Sequence, residues 1–273
     1  MTFQQKLDSA IEKNNSLLSV GFDPILDKIP LFLRDKEDSV FEFSKAIIDN
    51  THDLVCAYKF NSAFYEATGD KGIKQLKVTC DYLRKNYPEI PIILDFKRAD
   101  IESSNTGYIN YAFNYIGADA VTLNPYVGKV GLQPFLEIPD KGMIIWCKSS
   151  NNGSGEFQDL LIDNKPLYQI VAENVAKDWN KLGNCLLVVG ATYPNELAEI
   201  RKIVGDMTLL VPGVGTQGGN VEAMLKTGLN SQKKGLIIVV VRSIIYAAND
   251  NTFAKAARNE SEKLRDEINK YRV

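Results

Sequence analysis

Eight short apolar segments recur along the chain and alternate with longer segments that show the 3.6-residue periodicity of helices. The apolar segments lack polar alternation, which is typical of parallel strands that are covered by helices on both faces. We predict strands at 17–23, 57–61, the first part of 91–101, 120–124, 142–148, 185–190, 208–213 and 235–241. We predict helices at about 2–15, 39–53, 70–86, 103–117, 129–137, 165–181, from 194 onward, 219–228 and 244–270.

This alternation predicts an α/β fold, and specifically a single-domain TIM (β/α)8 barrel over residues 1–273. The length suits eight β/α units, and no linker or change in composition divides the chain. An open doubly wound sheet is the alternative. It is disfavoured because no Gly-x-Gly-x-x-Gly sequence follows the first predicted strand.

Composition excludes several classes of protein. The formal net charge is -2, which does not indicate a nucleic-acid or membrane surface, and no apolar run reaches the roughly 18 residues of a membrane span. The polar start does not resemble a signal peptide, and the four cysteines lack the spacing of a metal site. We therefore expect a cytoplasmic protein with reduced thiols. With one histidine, His52, away from any apparent site, its chemistry must depend on carboxylates, lysines and backbone groups.

The third predicted strand ends in a cluster of charges. Asp95 and Lys97 are two residues apart, so a strand would place both side chains on one face, and Asp100 follows where the strand gives way to a loop. A buried charge must be paired or must have a function. A salt bridge at a strand end remains possible for one pair, but three charges in Asp-x-Lys-x-x-Asp favour a catalytic cluster.

Polar residues end most of the other predicted strands as well. The carboxyl ends of the strands meet at one face of a TIM barrel, and this face carries the active site. The residues in question are Asp23, Lys59, Asn61, Asn124, Lys148, Ser149, Ser150, Arg242 and Ser243. A pocket that combines several cations with carboxylates would bind an anionic substrate.

Two further loops indicate a phosphate site. The glycine-rich segment 211–220 begins at the end of the seventh predicted strand, and Arg242 follows the eighth. TIM barrels often bind phosphate at these two positions through backbone N–H groups. A glycine-rich surface turn is the alternative. The segment 149–155, rich in serine, asparagine and glycine, is expected to be a mobile loop.

The residues at these positions resemble the longer branch of the orotidine 5'-phosphate decarboxylase family. The matching segments are Gly-Phe-Asp-Pro (21–24), Lys-Phe-Asn-x-Ala-Phe-Tyr-Glu (59–66), Leu-Asp-x-Lys-Arg-x-Asp-Ile (94–101), Ala-Val-Thr-Leu-Asn-Pro-Tyr (120–126), Val-Val-Gly-Ala-Thr-Tyr-Pro (188–194), Val-Pro-Gly-Val-Gly-x-Gln-Gly-Gly (211–219) and Arg-Ser-Ile-Ile-Tyr-Ala (242–247). The resemblance implies conversion of orotidine 5'-phosphate to uridine 5'-phosphate and CO2, the last step of de novo pyrimidine synthesis. It also implies a homodimer with active sites at the interface, and neither a metal nor a cofactor.

The same resemblance implies residue roles. Lys97 would donate the proton to C6, Asp95 would hold Lys97 beside the substrate carboxylate, and Asp100 would complete the array, in the partner subunit's site. The residues implied to bind substrate are Asp23 and Lys59 at the ribose, Ser149 or Ser150 at the pyrimidine, Gln217 and Arg242 at the phosphate, and also Asn61, Ile101, Ser104, Asn124 and Pro212.

The chain departs from the family pattern at a few positions. Glu102 stands where glycine is expected, Ser104 where threonine is expected, and Gly215 where the shorter branch has arginine. Val240 and Val241 replace small residues before Arg242. Alternatives to the decarboxylase are a related phosphosugar decarboxylase or aldolase that holds Mg2+ over an enediolate, a nucleotide-binding sensor, and a purely structural barrel.

Overall fold

Eight parallel strands close into a barrel in the described part of the chain. The structure is a computed structural model that describes residues 1–192, 194–213 and 221–272, apart from the side chain of Glu102. The barrel strands are β1 (Leu18–Phe22), β2 (Ala57–Asn61), β3 (Ile92–Arg98), β4 (Ala120–Leu123), β5 (Gly142–Lys148), β6 (Cys185–Val189), β7 (Leu209–Pro212) and β8 (Leu236–Val240). Each strand pairs with its neighbours in sequence, and β8 pairs with β1 to close the ring. The predicted TIM barrel is confirmed.

Helices alternate with the strands. The longer helices span Phe3–Asn14, Ser39–Thr51, Gly69–Asn86, Glu102–Ile109, Gly128–Leu136, Leu167–Asn174, Pro194–Val204, Val221–Gly228 and Phe253–Asn269. Two of them continue as π-helical segments, Asn110–Ile116 and Val175–Trp179. Short helical segments are Leu26–Lys28, Leu31–Arg34, Ser62–Glu66, Pro125–Val127, Gly155–Gln158 and Arg242–Ile245, and a two-stranded hairpin joins Leu161–Ile162 to Lys165–Pro166. No helix in these residues is long and apolar enough to span a bilayer.

The first helix connects to the amino end of β3. It starts with a capping box, in which Thr2 and Gln5 satisfy each other's backbone N–H groups. The Lys6 ammonium lies 2.8 Å from the Asp119 carboxylate, which also accepts a hydrogen bond from the Ile92 backbone. This contact fixes the start of the strand that carries the charged cluster at its other end.

The predicted terminal helix 244–270 is wrong in one respect, because the structure divides it into Arg242–Ile245 and Phe253–Asn269. The break coincides with a turn in which the Asp250 carboxylate accepts hydrogen bonds from the backbone N–H and hydroxyl of Thr252. Aspartate favours such local contacts, which compete with helix formation. The break leaves Arg242 on a separate short helix at the rim of the barrel.

Tyr246 joins this short helix to the loop after β1. Its hydroxyl donates to the backbone carbonyl of Asp23 over 2.9 Å and accepts from the backbone N–H of Ile25 over 2.7 Å. The segments that follow the first and the last barrel strand therefore meet at the Tyr246 hydroxyl. This contact positions the segment that contains Asp23.

The Tyr246→Phe variant should unfold more easily than the wild type, because it removes the partner of two partly buried backbone groups. We expect the free energy of unfolding to fall by about 1–3 kcal/mol, measured by urea denaturation. Tyr126→Phe is the matched control, since the Tyr126 side chain is 92% exposed. Equal stability of the two variants would contradict this assignment.

Candidate active site

A cavity of about 410 Å3 opens at the carboxyl ends of the barrel strands. Its size is suited to a small organic ligand. The predicted site residues that line it are Asp23, Lys59, Asn61, Asp95, Lys97, Ser149, Ser150, Pro212 and Arg242. The structure therefore brings together side chains at the carboxyl ends of six strands that lie far apart in the sequence.

Asp95 lies at the centre of the charged cluster. Its Oδ2 accepts from Lys59 Nζ over 2.8 Å, and its Oδ1 accepts from Lys97 Nζ over 2.5 Å. Thr122 donates a third hydrogen bond to Oδ1 over 2.9 Å. One carboxylate thus holds two ammonium groups side by side at the base of the cavity.

Burial makes these charges interdependent. Burial alone would raise the pKa of Asp95, but the positive charges of Lys59 and Lys97 outweigh it and hold the pKa of Asp95 well below its ordinary value. For Lys59, burial acts to lower the pKa, and the neighbouring carboxylates of Asp95 and Asp23 raise it above its ordinary value. Asp95 and Lys59 are therefore both ionised at neutral pH.

Asp23 differs from Asp95 in its partners. Its Oδ1 lies 4.0 Å from Lys59 Nζ, and among the described residues this buried oxygen has no hydrogen-bond partner. Burial raises the pKa of Asp23, although Lys59 acts in the opposite direction. A buried acceptor of this kind can take a hydrogen bond from a bound ligand.

Lys97 reaches the cluster through an irregular strand end. The register between β3 and β4 shifts between Leu94 and Arg98, and Lys97 has a positive φ of 44°. Non-glycine residues rarely adopt this conformation, and it is often found at functional sites. The Lys97 backbone N–H donates to the Thr122 hydroxyl over 3.0 Å, and its ammonium lies 5.5 Å from the centre of the Trp146 ring.

The end of β5 supplies the opposite wall. Lys148 is 1% exposed and forms an ion pair with Asp159. The Ser149 backbone N–H donates to Gln158 Oε1 over 2.8 Å, and Gln158 Nε2 donates to the Ser149 hydroxyl over 3.1 Å. The segment that we expected to be a mobile loop is thus tied at its base to the short helix that follows it.

The predicted phosphate end is described in part. Pro212, Gly213 and the exposed Arg242 line the cavity, whereas Gln217 lies outside the described residues. Lys28 also lines the cavity, and its ammonium lies 5.6 Å from the centre of the Tyr246 ring.

Four predicted site residues do not line the cavity of their own chain. They are Asp100, Ile101, Ser104 and Asn124. The Asp100 carboxylate accepts from the Ile101 backbone, and the Asn124 side chain accepts from the Tyr126 backbone. The predicted role of Asp100 in the partner subunit's site, and the predicted substrate contacts of the other three residues, stay predictions.

Several residues that line the cavity were not predicted from the sequence. Thr122 is one, and a signal was present, since it is a polar residue inside the apolar run of β4. Trp146 and Phe64 look like ordinary core residues in the sequence, and only the closed barrel places them at the cavity.

The stability that Asp95 contributes should depend on pH in the acid range. Because the folded pKa of Asp95 lies below its unfolded value, its contribution is complete above about pH 4 and diminishes as the pH falls toward the folded pKa. We expect the difference in unfolding free energy between the wild type and Asp95→Asn to shrink by about 1.4 kcal/mol per pH unit below about pH 3.9. Urea denaturation from pH 7 to pH 3 measures this, with Glu222→Gln on the surface as a control. A difference that stays constant with pH would contradict the assignment.

Comparison with known proteins identifies the family. The family model described as "Orotidine 5'-phosphate decarboxylase / HUMPS family" matches residues 33–257. A protein named orotidine 5'-phosphate decarboxylase from Janthinobacterium sp. (strain Marseille) is 48% identical over 271 residues, which cover 99% of both chains. A protein of the same name from Cellvibrio japonicus (strain Ueda107) is also 48% identical to this chain, over 98% of both chains.

Solved structures agree with these sequence matches. The structure of Leishmania donovani OMP decarboxylase is 36% identical, with a TM-score of 0.87 over 100% of this chain and 99% of that one. The structure of Leishmania donovani UMP synthase is 37% identical with a TM-score of 0.89, and the match covers 100% of this chain but 57% of that longer one. The chain therefore belongs to the orotidine 5'-phosphate decarboxylase / HUMPS family.

Proposed function

We propose that the chain converts orotidine 5'-phosphate into uridine 5'-phosphate and CO2, the last step of de novo UMP synthesis, without a metal or an organic cofactor. The observation that carries this proposal is the Lys59–Asp95–Lys97 array at the base of the cavity. The full-length similarity to proteins named orotidine 5'-phosphate decarboxylase supports the same reaction.

Lys97 is the proton donor in this proposal. When the bond between C6 and the carboxylate carbon breaks, CO2 leaves and the electron pair remains on C6. A fixed ammonium beside C6 stabilises that charge as it develops and then transfers its proton to the carbon. Solvent returns the proton to Lys97, and the charge and atoms balance without a further reactant.

Asp95 has two functions in the proposed reaction. It holds the Lys97 ammonium at 2.5 Å, which orients the proton donor before the substrate binds. It also remains anionic and repels the substrate carboxylate more strongly than the transition state, in which the negative charge has moved to C6.

The other cavity residues bind the rest of the substrate. The buried Oδ1 of Asp23, which has no hydrogen-bond partner among the described residues, accepts a hydrogen bond from a ribose hydroxyl. Lys59 and Asn61 line the same cavity and also bind the ribose end of the substrate. Ser149 or Ser150 faces the pyrimidine. Arg242 binds the phosphate together with Gln217, because a guanidinium can make two parallel hydrogen bonds to phosphate oxygens.

A magnesium-dependent phosphosugar enzyme is the strongest alternative. Such an enzyme would use the same carboxylates as ligands for the metal. Here both oxygens of Asp95 accept hydrogen bonds from ammonium groups, which disfavours a divalent cation at the same position. A non-catalytic nucleotide sensor would not need a lysine held in a rare backbone conformation.

We also propose that two copies of the chain form a homodimer in which Asp100 serves the partner's site. Side-chain hydrogen bonds hold the Asp100 loop: the Asn105 amide oxygen accepts from the Asp100 N–H, and its NH2 group donates to the carbonyls of Asp100 and Gly131. Large apolar side chains are exposed on this loop and the next one, with Ile101 at 61% and Tyr126 at 92%. Exposed apolar groups beside the Asp100 carboxylate suit a contact between protomers.

The four cysteines are buried and free, which suits the cytoplasmic location that we propose for the chain.

The first experiment follows the loss of orotate-ring absorbance after addition of orotidine 5'-phosphate, with and without EDTA. We expect rapid loss in both cases for the wild type. Lys97→Ala should lower kcat by at least about a thousandfold, since the proton donor and the charge that stabilises the carbanion are both removed, while UMP binding survives.

Lys129→Ala is a control outside the cavity and should retain full activity. Near-full activity of Lys97→Ala would exclude the proton-donor role. Activity of the wild type that disappears with EDTA would indicate a metal-dependent site, and no loss of absorbance at all would favour the phosphosugar relatives.

The shared site predicts complementation between two inactive variants. Lys97→Ala and Asp100→Ala should each be nearly inactive alone. A mixed dimer pairs the intact Lys97 of one chain with the intact Asp100 of the other, so an equimolar mixture should regain about a quarter of the wild-type activity after subunit exchange. Analytical ultracentrifugation checks the dimer, and a mixture that stays inactive would contradict the shared site.

A further inference from the structure

The segment between β5 and the helix Leu167–Asn174 is closed at its base by side chains. Ser149 and Asp159 are ten positions apart, and the intervening chain leaves the strand, passes the cavity rim and returns as the one-turn helix Gly155–Gln158. Two independent contacts join its beginning to its end.

The first contact is the ion pair between Lys148 and Asp159. Lys148 is almost fully buried and lines the cavity, whereas the Asp159 side chain is 49% exposed. The Lys148 ammonium also lies 5.4 Å from the centre of the Tyr168 ring. A side chain at position 155 would collide with the Asp159 carboxylate, since a Cβ there would lie 2.6 Å from Asp159 Oδ2. Gly155 thus leaves room for the Asp159 carboxylate in the position where it pairs with Lys148.

The second contact is the pair of hydrogen bonds between Gln158 and Ser149. The Gln158 amide binds both the backbone N–H and the hydroxyl of Ser149, which is 7% exposed. A hydroxyl that accepts one hydrogen bond keeps its own proton to donate. Gln158 therefore orients the Ser149 hydroxyl as well as its backbone.

The other side of the segment rests on β6. The Gly190 backbone N–H donates to the Lys148 carbonyl over 2.9 Å. A Cβ at position 190 would lie 2.8 Å from the backbone nitrogen of Ser150, so only glycine lets the two strands approach this closely. Ser149 and Ser150 are held between this strand and the Gln158–Asp159 corner.

We propose that Gln158 and Asp159 are positioning residues for recognition of the pyrimidine ring. Gln158 binds Ser149, and Asp159 pairs with Lys148 directly before the two serines at the cavity wall, although neither Gln158 nor Asp159 lines that cavity. The inference rests on the proposed function, in which this wall faces the base of the nucleotide. It assigns part of the specificity for the base to residues about ten positions after β5, the strand that the two serines directly follow.

The test compares two ligands that share the ribose and phosphate but differ in the base. UMP and ribose 5-phosphate are titrated by calorimetry into the wild type, Asp159→Asn and Gln158→Ala. We expect the Kd for UMP to rise about tenfold in each variant, and the Kd for ribose 5-phosphate to change less than about twofold. A variant that had only become less stable would lose affinity for both ligands to the same extent.

Glu173→Gln is the matched control. Glu173 forms an ion pair with Lys165 at 2.6 Å in the same region of the chain, but it does not line the cavity. Its affinity for both ligands should equal that of the wild type. Thermal unfolding of all variants confirms that they fold.

Two results would overturn the inference while leaving the proposed function intact. One is an equal loss of affinity for UMP and ribose 5-phosphate in the variants, and the other is unchanged affinity for UMP. If the wild type neither decarboxylates orotidine 5'-phosphate nor binds UMP, the proposed function itself fails, and the inference fails with it.

Discussion

The pairing of one buried carboxylate with two ammonium groups is the constraint on which the rest of the site depends. Asp95 is 8% exposed, and a carboxylate in this position is stable only because Lys59 and Lys97 compensate its charge. Removing Asp95 would leave the two ammonium groups without the carboxylate that they share at the base of the cavity. The barrel must therefore hold β2 and β3 in a fixed register, and Asn61 pairs directly with Asp95 across the two strands.

The same constraint accounts for the irregular end of β3. A regular strand would point Lys97 to the same face as Asp95, as the two-residue spacing predicts. The structure reaches this pairing by a different route, through a register shift and a left-handed backbone at Lys97. Thr122 links the Asp95 carboxylate to the irregular backbone at Lys97, because its hydroxyl donates to Asp95 and accepts from the Lys97 N–H. A single threonine on β4 thus compensates part of the strain at the proposed proton donor.

The rim of the barrel divides its polar residues into two groups. One group faces the cavity of its own chain and includes Asp23, Ser150 and Arg242. The other group, which includes Asp100 and Ile101, does not line that cavity and lies on a loop that Asn105 holds by hydrogen bonds. This division explains why a motif that reads as one cluster in the sequence becomes two separate features in space. It also places the exposed apolar residues where the second group lies.

Most features of the protein that depend on neighbouring residues in the sequence were predictable, whereas features that depend on residues far apart in the sequence were not. The apolar segments determined the eight strands to within a residue or two, because burial on both faces requires continuous apolar sequence, and the strand ends identified nine of the cavity residues. The sequence did not predict the break at Asp250, the Gln158–Ser149 contact or the roles of Thr122 and Trp146 in the cavity. The break at Asp250 rests on a local turn with Thr252, which the helical periodicity of the surrounding residues did not indicate. The cavity positions of Thr122 and Trp146 depend on which residues meet across a closed barrel, and local patterns carry no information about such distant contacts. The composition and order of the strands were thus determined locally, whereas the pairing of Lys59 with Asp95 and the conformation of Lys97 were decided only when the ring closed.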